Sequence, residues 1–253
     1  MIAVISPAKS LDYERAPPPC TPTRPRFSEE AETLAKACSR LSRKRLAELI
    51  KISPALAKLN ADRYRGFADA PERPALFAFA GDVYVGLDAY SLDEEAVAYA
   101  QDHLRMLSGL YGLLRPLDAI RPYRLEMGTR WAPGDRSGRD RLTDWWGDRI
   151  ARALGEELGA EGSGVILNLA SEEYWAAVDK FVPAGAGVIA VDFREGPDAR
   201  FVSFHAKKAR GMMARWVVEH RIQDPAALPG FDADGYRHDA QASTPDRLRF
   251  VRA

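Results

Sequence analysis

Cysteine is scarce: Cys20 and Cys38 are the only two among 253 residues. Two thiols build no disulfide framework, and they fit a reducing cytosol, the compartment expected here. No apolar run approaches the roughly 18 residues that a membrane-spanning helix needs. The longest uncharged stretch of the second half, 181–191, is interrupted by Pro183 and two glycines. The opening MIAVISPAKS has no basic segment and reads as a strand entering the core rather than a signal sequence. Neither sign of charge is in excess, since 36 Lys+Arg balance 36 Asp+Glu. Attraction to nucleic acid or acidic lipid therefore cannot come from the totals and must come from local patterning. Four histidines, His103, His205, His220 and His238, show no metal-ligand spacing, and neither cysteine has a C-x-x-C partner. There is no Walker loop and no G-x-G-x-x-G after a strand. No metal and no cofactor are expected.

What the chain does have is the 46% hydrophobic content of an ordinary globular protein, in a length that fits one large domain or two small ones, with no convincing linker within 1–253. Residues 1–6 read as a strand stopped by Pro7. Six prolines between 7 and 27 predict an extended arm over the surface. A helix is expected from Ser28 towards Leu49, with Arg43, Lys44 and Arg45 near its C-terminal part. ALFAFA (75–80) reads as a short strand, and Ser91-Leu-Asp-Glu94 as a capping box opening a helix to about Leu107. Another helix follows Thr143 through Ile150. Strands are expected at 165–169, 187–193, 201–204 and 247–251, and a long helix from Lys207 to Ile222. Interspersed helices and strands predict a mixed α/β protein with a central sheet flanked by helices.

The last helix carries Lys207, Lys208, Arg210, Arg215 and Arg221 on one arc of about 160°, opposite Ala209, Met212, Met213, Trp216 and Val217. Gly211, Ala214 and Val218 lie within the basic arc, and small residues there admit close approach of a phosphate. An ordinary solvated charged face is the alternative.

The segment 104–120 resembles a helix-hairpin-helix, with Gly109 and Gly112 in the hairpin and Arg115 placed to reinforce a phosphate site. A structural glycine turn between two core helices is the other reading, because two residues separate the glycines. Arg121 and Arg124 flank Tyr123 in a proline-stiffened stretch, as a phosphate-and-stacking surface would require, but either arginine could equally pair with Glu126 or Asp118. Ser6-Pro-Ala-Lys9 matches S-x-x-K, yet its companion motifs are absent. Lys9 is of more interest as a cation at a strand's carboxyl end, where open α/β sheets bind ligands. Asp82 could act as a base or cap a turn. Asn168 and Ser171 could bind an anion or simply join strand to helix.

The blocks ISPAKSLDY (5–13), GDVYVGL (81–87), HLRMLSGLYGLLRPLDAIRPYRLEMGTR (103–130), NLASEEY (168–174) and FHAKKARGMMARWVVEHRI (204–222) resemble the YaaA family of bacterial peroxide-stress proteins over nearly the whole length. The resemblance implies a cytosolic protein induced by hydrogen peroxide that limits damage from intracellular iron and binds duplex or structured DNA. It implies a single-domain α/β fold with a basic cleft and a helix-hairpin-helix-like element. Its cleft cations would be Lys9, Arg63, Arg105, Arg115, Arg121, Arg124, Lys207, Lys208, Arg210 and Arg215. No catalytic activity is implied. The proline-rich arm (17–25) and the Arg-rich loop (135–141) depart from the pattern, and nothing is transferred to them.

The leading expectation is a monomeric, non-enzymatic DNA-binding protein holding backbone phosphates with little base readout. The alternative is an enzyme acting on a nucleic-acid base, glycosylase- or lyase-like, with Lys9, Lys207 or Lys208 as nucleophile and Asp82 or Glu126 as acid/base.

Overall fold

The computed structural model describes residues 1–134 and 140–253. The first strand, β1 (Ile2–Ile5), is buried along its whole length. The arm that follows contains only the two-residue β2 (Ser10–Leu11) before α1 (Ser28–Ser39). Two further helices, α2 (Arg43–Ile50) and α3 (Pro54–Arg65), complete a helical subassembly. Then come β3 (Arg73–Pro74), the single turn α4 (Ala75–Ala78), β4 (Phe79–Ala80), α5 (Asp82–Leu87) and α6 (Glu94–His103). A hairpin of β5 (Leu104–Ser108) and β6 (Gly112–Leu114) precedes the short β7 (Ala119–Ile120). The second half holds α7 (Leu142–Trp146), α8 (Arg149–Glu161), β8 (Val165–Leu169), α9 (Glu172–Trp175), β9 (Gly187–Glu195), α10 (Ser203–Glu219), β10 (Tyr236–His238) and β11 (Arg247–Arg252).

Seven strands form one sheet in the order β10-β11-β9-β8-β1-β5-β6. The five inner strands run parallel, and an antiparallel strand closes each edge. Strands covered on both faces read as unbroken apolar runs, which is why IAVI and VILNL were recognisable. The mixed α/β architecture with flanking helices is as the sequence predicted.

Several elements differ from the sequence reading, each for a local reason. The long helix expected from Ser28 breaks at Arg40–Ser42. The Ser42 side chain accepts from the Arg45 N–H at 3.1 Å and so starts a new helix. Arg43, Lys44 and Arg45 therefore occupy the first turn of α2, the end where the helix dipole opposes them. Ser91 is not the cap of α6; Asp93 is, accepting from the Ala96 N–H at 2.7 Å. Residues 75–80 are mostly one helical turn, the helix expected through Ile150 is divided at Gly147, and in place of a strand at 201–204 two exposed residues lead into α10, which begins at Ser203.

The expected helix-hairpin-helix at 104–120 is a β-hairpin. Met106 to Ser108 pair antiparallel with Gly112 to Leu114 at the sheet edge. The Ser108 Oγ accepts from the Tyr111 N–H at 2.9 Å, and Gly112 takes φ +67° to make the turn. A Cβ on Gly109 would stand 2.3 Å from the Leu125 carbonyl oxygen, so this glycine serves chain packing and faces no phosphate.

Candidate functional site

Counted in chain order, the parallel strands β1, β5, β8, β9 and β11 lie across the sheet as 2-1-3-4-5. The chain leaves β1 for β5 on one side, then crosses back to place β8 on the other. Connections leaving the carboxyl ends of β1 and β8 thus diverge, and a crevice opens between them. Such switch points are where open α/β sheets hold ligands.

Two segments cross-link at this crevice. The Ser171 N–H donates to the buried Ser6 Oγ at 2.9 Å, and the Ser6 hydroxyl lies 3.2 Å from the Ser171 Oγ. The Asn168 side chain accepts from the Ala170 N–H at 3.0 Å, shaping the same turn. The Tyr84 hydroxyl donates to the Ser6 carbonyl at 3.2 Å and fastens α5 beneath. A Cβ on Gly81 would be 3.1 Å from that of Ala8, so Asp82 begins α5 beside Lys9. Lys207 reaches Asp82 at 3.9 Å, bringing the first turns of α10 to the same rim.

A small pocket opens here, lined by Ala8, Lys9, Tyr123, Arg124, Glu126 and Tyr174 among others. The Arg124 Nε donates to Glu126 Oε1, while Glu126 Oε2 is buried with no hydrogen-bond partner among the described residues. Arg210 is half-buried, and desolvation pulls its pKa below the usual arginine value, with the carboxylates of Asp192 and Glu172 acting against that shift. Lys9, Arg124, Lys207 and Arg210 thus surround the crevice together with Glu126, Asp82 and Glu172. Its charge is mixed rather than uniformly basic.

The expected site residues separate by what they touch. Lys9 is exposed and has no ion pair, and Arg210 has no hydrogen bond or ion pair among the described residues. Arg63 is half-buried, donates only to the Asn60 side chain at 3.3 Å, and has its pKa lowered by burial. The remaining cations meet carboxylates. Arg115 lies 3.4 Å from Asp118, Arg121 lies 3.0 Å from Glu72, and Lys208 lies 3.6 Å from Asp234. Lys207 and Lys208 thus each have an acidic neighbour, Asp82 and Asp234. Arg105 is 5% exposed and paired to Glu157 inside the protein, where it can meet no DNA. Arg215 donates to the carbonyls of Leu87 and Asp88 at 3.1 and 2.8 Å and to Glu219 at 2.6 Å, bracing α10 against the turn after α5.

The basic arc of α10 is interrupted for a related reason. Gly211, Ala214 and Val218 are buried, and a Cβ on Gly211 would stand 1.8 Å from the Val83 carbonyl oxygen. Reciprocally, a Cβ on Gly86 would be 2.0 Å from the Lys208 carbonyl oxygen. The small residues admit a close neighbour, as expected, but that neighbour is α5. The motifs in the sequence did not reveal the Ser6–Ser171 link, nor the cationic pair α2 and α3; for the latter the usable signal was serine before each helix, Ser42 and Ser53.

No helix among the described residues is long and apolar enough to cross a membrane, and no group of three or more His, Cys, Asp or Glu there could hold a metal. Residues 1–242 match the family model described as peroxide stress protein YaaA. A UPF0246 protein of Rhizorhabdus wittichii is 58% identical over 254 residues, covering all of this chain and 99% of the relative. UPF0246 proteins of Jannaschia sp. and Paracidovorax citrulli are 50% and 49% identical, each over the whole of this chain and 97% and 98% of their own lengths.

Proposed function

The chain belongs to the peroxide stress protein YaaA family, and from that premise we propose that it is a DNA-binding protein of the response to hydrogen peroxide. In this reading it limits oxidative DNA damage and intracellular free iron, and it grips duplex or structured DNA chiefly by backbone phosphates. The observation that carries the DNA contact is the pair α2 and α3. Two exposed helices are joined by only Lys51, Ile52 and Ser53, with Lys51 in the left-handed conformation at φ 50° and ψ 56°. The N-terminus of α3 is exposed from Ser53 to Leu56. Pro54 has no N–H and the Leu56 N–H donates to Ser53 Oγ at 3.4 Å, so the Ala55 N–H and the positive end of the dipole are what this terminus offers. Lys44 and Lys51 are exposed and enter no ion pair among the described residues, while Arg43 and Lys58 share Asp62 at 3.7 and 3.1 Å. In this reading α2 and α3 take the role that the sequence assigned to a helix-hairpin-helix at 104–120. The unpaired Lys9, Arg63 and Arg210 would extend the contact to the crevice.

Phosphate-dominated binding weakens steeply with salt, because each neutralised phosphate releases counterions. Fluorescence anisotropy with a labelled duplex from about 50 to 200 mM salt should show that slope. Lys44→Glu with Lys51→Glu should lower affinity at least about tenfold and flatten the slope by up to about two charges. A flat salt response, or an unchanged double variant, would refute this reading.

A further inference from the structure

The switch-point crevice has features that phosphate binding by α2 and α3 does not use. Glu126 is 9% exposed, and only one of its two carboxylate oxygens has a donor. A buried acceptor without a donor is costly and rare in native proteins, so Oε2 calls for an N–H or O–H from a ligand. The pocket it lines is a shallow notch of about 10 Å³ that admits a single polar atom, so any larger ligand lies across its mouth. Tyr123 and Tyr174 wall it with aromatic surface, which suits a planar ring. Lys9 lies at the same pocket, exposed and unpaired.

On the β8 side stands Arg210, half-buried and without an ion pair among the described residues, near Glu172 that follows Ser171. Lys9, Arg124, Lys207 and Arg210 outnumber the carboxylates Glu126, Asp82 and Glu172 by one, which favours an anionic group. The complement of this crevice is a molecule anionic at one end and bearing neutral N–H or O–H donors on a flat ring or sugar at the other.

We propose that the crevice between the carboxyl ends of β1 and β8 binds a nucleotide, its phosphate held by Lys9 and Arg210 and a donor of its base or sugar held by Glu126 Oε2. A free mononucleotide and a nucleotide within a DNA strand carry the same chemistry. The crevice shares Lys9 and Arg210 with the DNA contact proposed above and rests on that reading there, but Lys44 and Lys51 are no part of it, so different variants test the two surfaces.

Calorimetric titration of the full chain with the four deoxynucleoside monophosphates, their ribose counterparts, inorganic phosphate and a single-stranded oligonucleotide tests it. At least one nucleotide should bind about tenfold or more tighter than inorganic phosphate. Glu126→Gln keeps an acceptor for Arg124 but turns a donor into the pocket, and should weaken that nucleotide about tenfold. Lys9→Gln alters an exposed, unpaired side chain, so it keeps the fold and should also weaken binding; it decides the matter if the Glu126 variant misfolds. Binding confined to the oligonucleotide, yet sensitive to Lys9 and Glu126, identifies the ligand as a nucleotide within a strand. The proposal is overturned if inorganic phosphate binds as tightly as the nucleotides, or if nothing bound is sensitive to Lys9 and Glu126. The Lys44→Glu, Lys51→Glu variant should keep mononucleotide affinity, which separates this outcome from failure of the DNA surface.

Discussion

The Ser171 N–H donates to Ser6 Oγ at 2.9 Å, across 165 residues of chain, and ties the segment leaving β1 to the segment leaving β8. Both strands pair in parallel over four positions before this point, so the link lies where the ladder ends and the two connections part. It holds the floor of the crevice in one shape. Ser6→Ala would leave a part-buried N–H without its acceptor and should destabilise the protein by about 1–2 kcal/mol, read from urea unfolding. Unchanged stability would mean that the ladder alone sets the crevice.

Gly211 and Gly86 let α10 and α5 touch backbone to backbone. Gly211→Ala places a methyl 1.8 Å from the Val83 carbonyl oxygen, a backbone atom that cannot swing away. The helices must separate, so a loss of more than about 3 kcal/mol, or failure to fold, is expected in thermal or denaturant melts. A stable Gly211→Ala protein that loses only DNA affinity would restore the view of this helix as a phosphate-facing surface.

Arg105 and Glu157 form an ion pair reaching from β5 to α8. Because the arginine is buried, Arg105→Ala removes the donor to Glu157 and to the Gln101 and Leu104 carbonyls, and although Arg26 still lies 3.9 Å from Glu157 it should cost about 2–3 kcal/mol. Affinity for DNA in the folded fraction should not change. Anisotropy at a temperature where the variant is folded checks this, and a selective loss of affinity would contradict the buried assignment.

Arg215 is held by two backbone carbonyls and two carboxylates. Arg215→Ala should lower stability by about 1–2 kcal/mol and leave the salt slope of DNA binding intact. The pattern of charges on α10 alone suggested the reverse, a stable protein with weakened binding. Calorimetric melting set beside anisotropy distinguishes the two.

Burial pushes the Cys38 thiol up to about 12, so it stays protonated in the folded protein well above the range where an exposed thiol ionises. The sign follows from proton uptake. Above about pH 8.5 the unfolded thiol loses its proton while the folded one keeps it, so this contribution to stability falls as pH rises from there towards 12. Cys38→Ala should flatten that part of the alkaline decline. In the native protein at pH 8, a thiol reagent should modify Cys38 only at the rate of unfolding. Immediate labelling of Cys38 would show that the site opens without global unfolding.

Much of the sheet was legible in the sequence. Ile2–Ile5, Val165–Leu169, Gly187–Phe193 and Arg247–Val251 read as strands because a strand covered on both faces, or alternating against one, writes its burial directly into its order of residues. The apolar run from Leu104 to Leu114 was ambiguous for the same reason: burial on every side suits a core helix as well as a core strand, and only its pairing with β1 decided for the strand. The crevice was legible only in fragments. Lys9, Asp82, Arg124, Asn168 and Lys207 stood out singly, but their convergence depends on where β8 lies relative to β1, which no local pattern encodes.

Charge shows the division most sharply. The sequence by itself determined how many cations the chain has and which helical arc or loop bears them. It could not determine which of them remain available to a ligand, because a charge is neutralised by whatever carboxylate or carbonyl folding brings within a few ångströms. Arg105 meets Glu157, Arg215 meets Asp88 and Lys208 meets Asp234 across long stretches of chain, whereas Lys9 and Arg210 form no ion pair among the described residues, Arg210 feeling Asp192 and Glu172 only at longer range. Coulomb attraction falls with distance and with the dielectric around it, and both are properties of the packed tertiary structure.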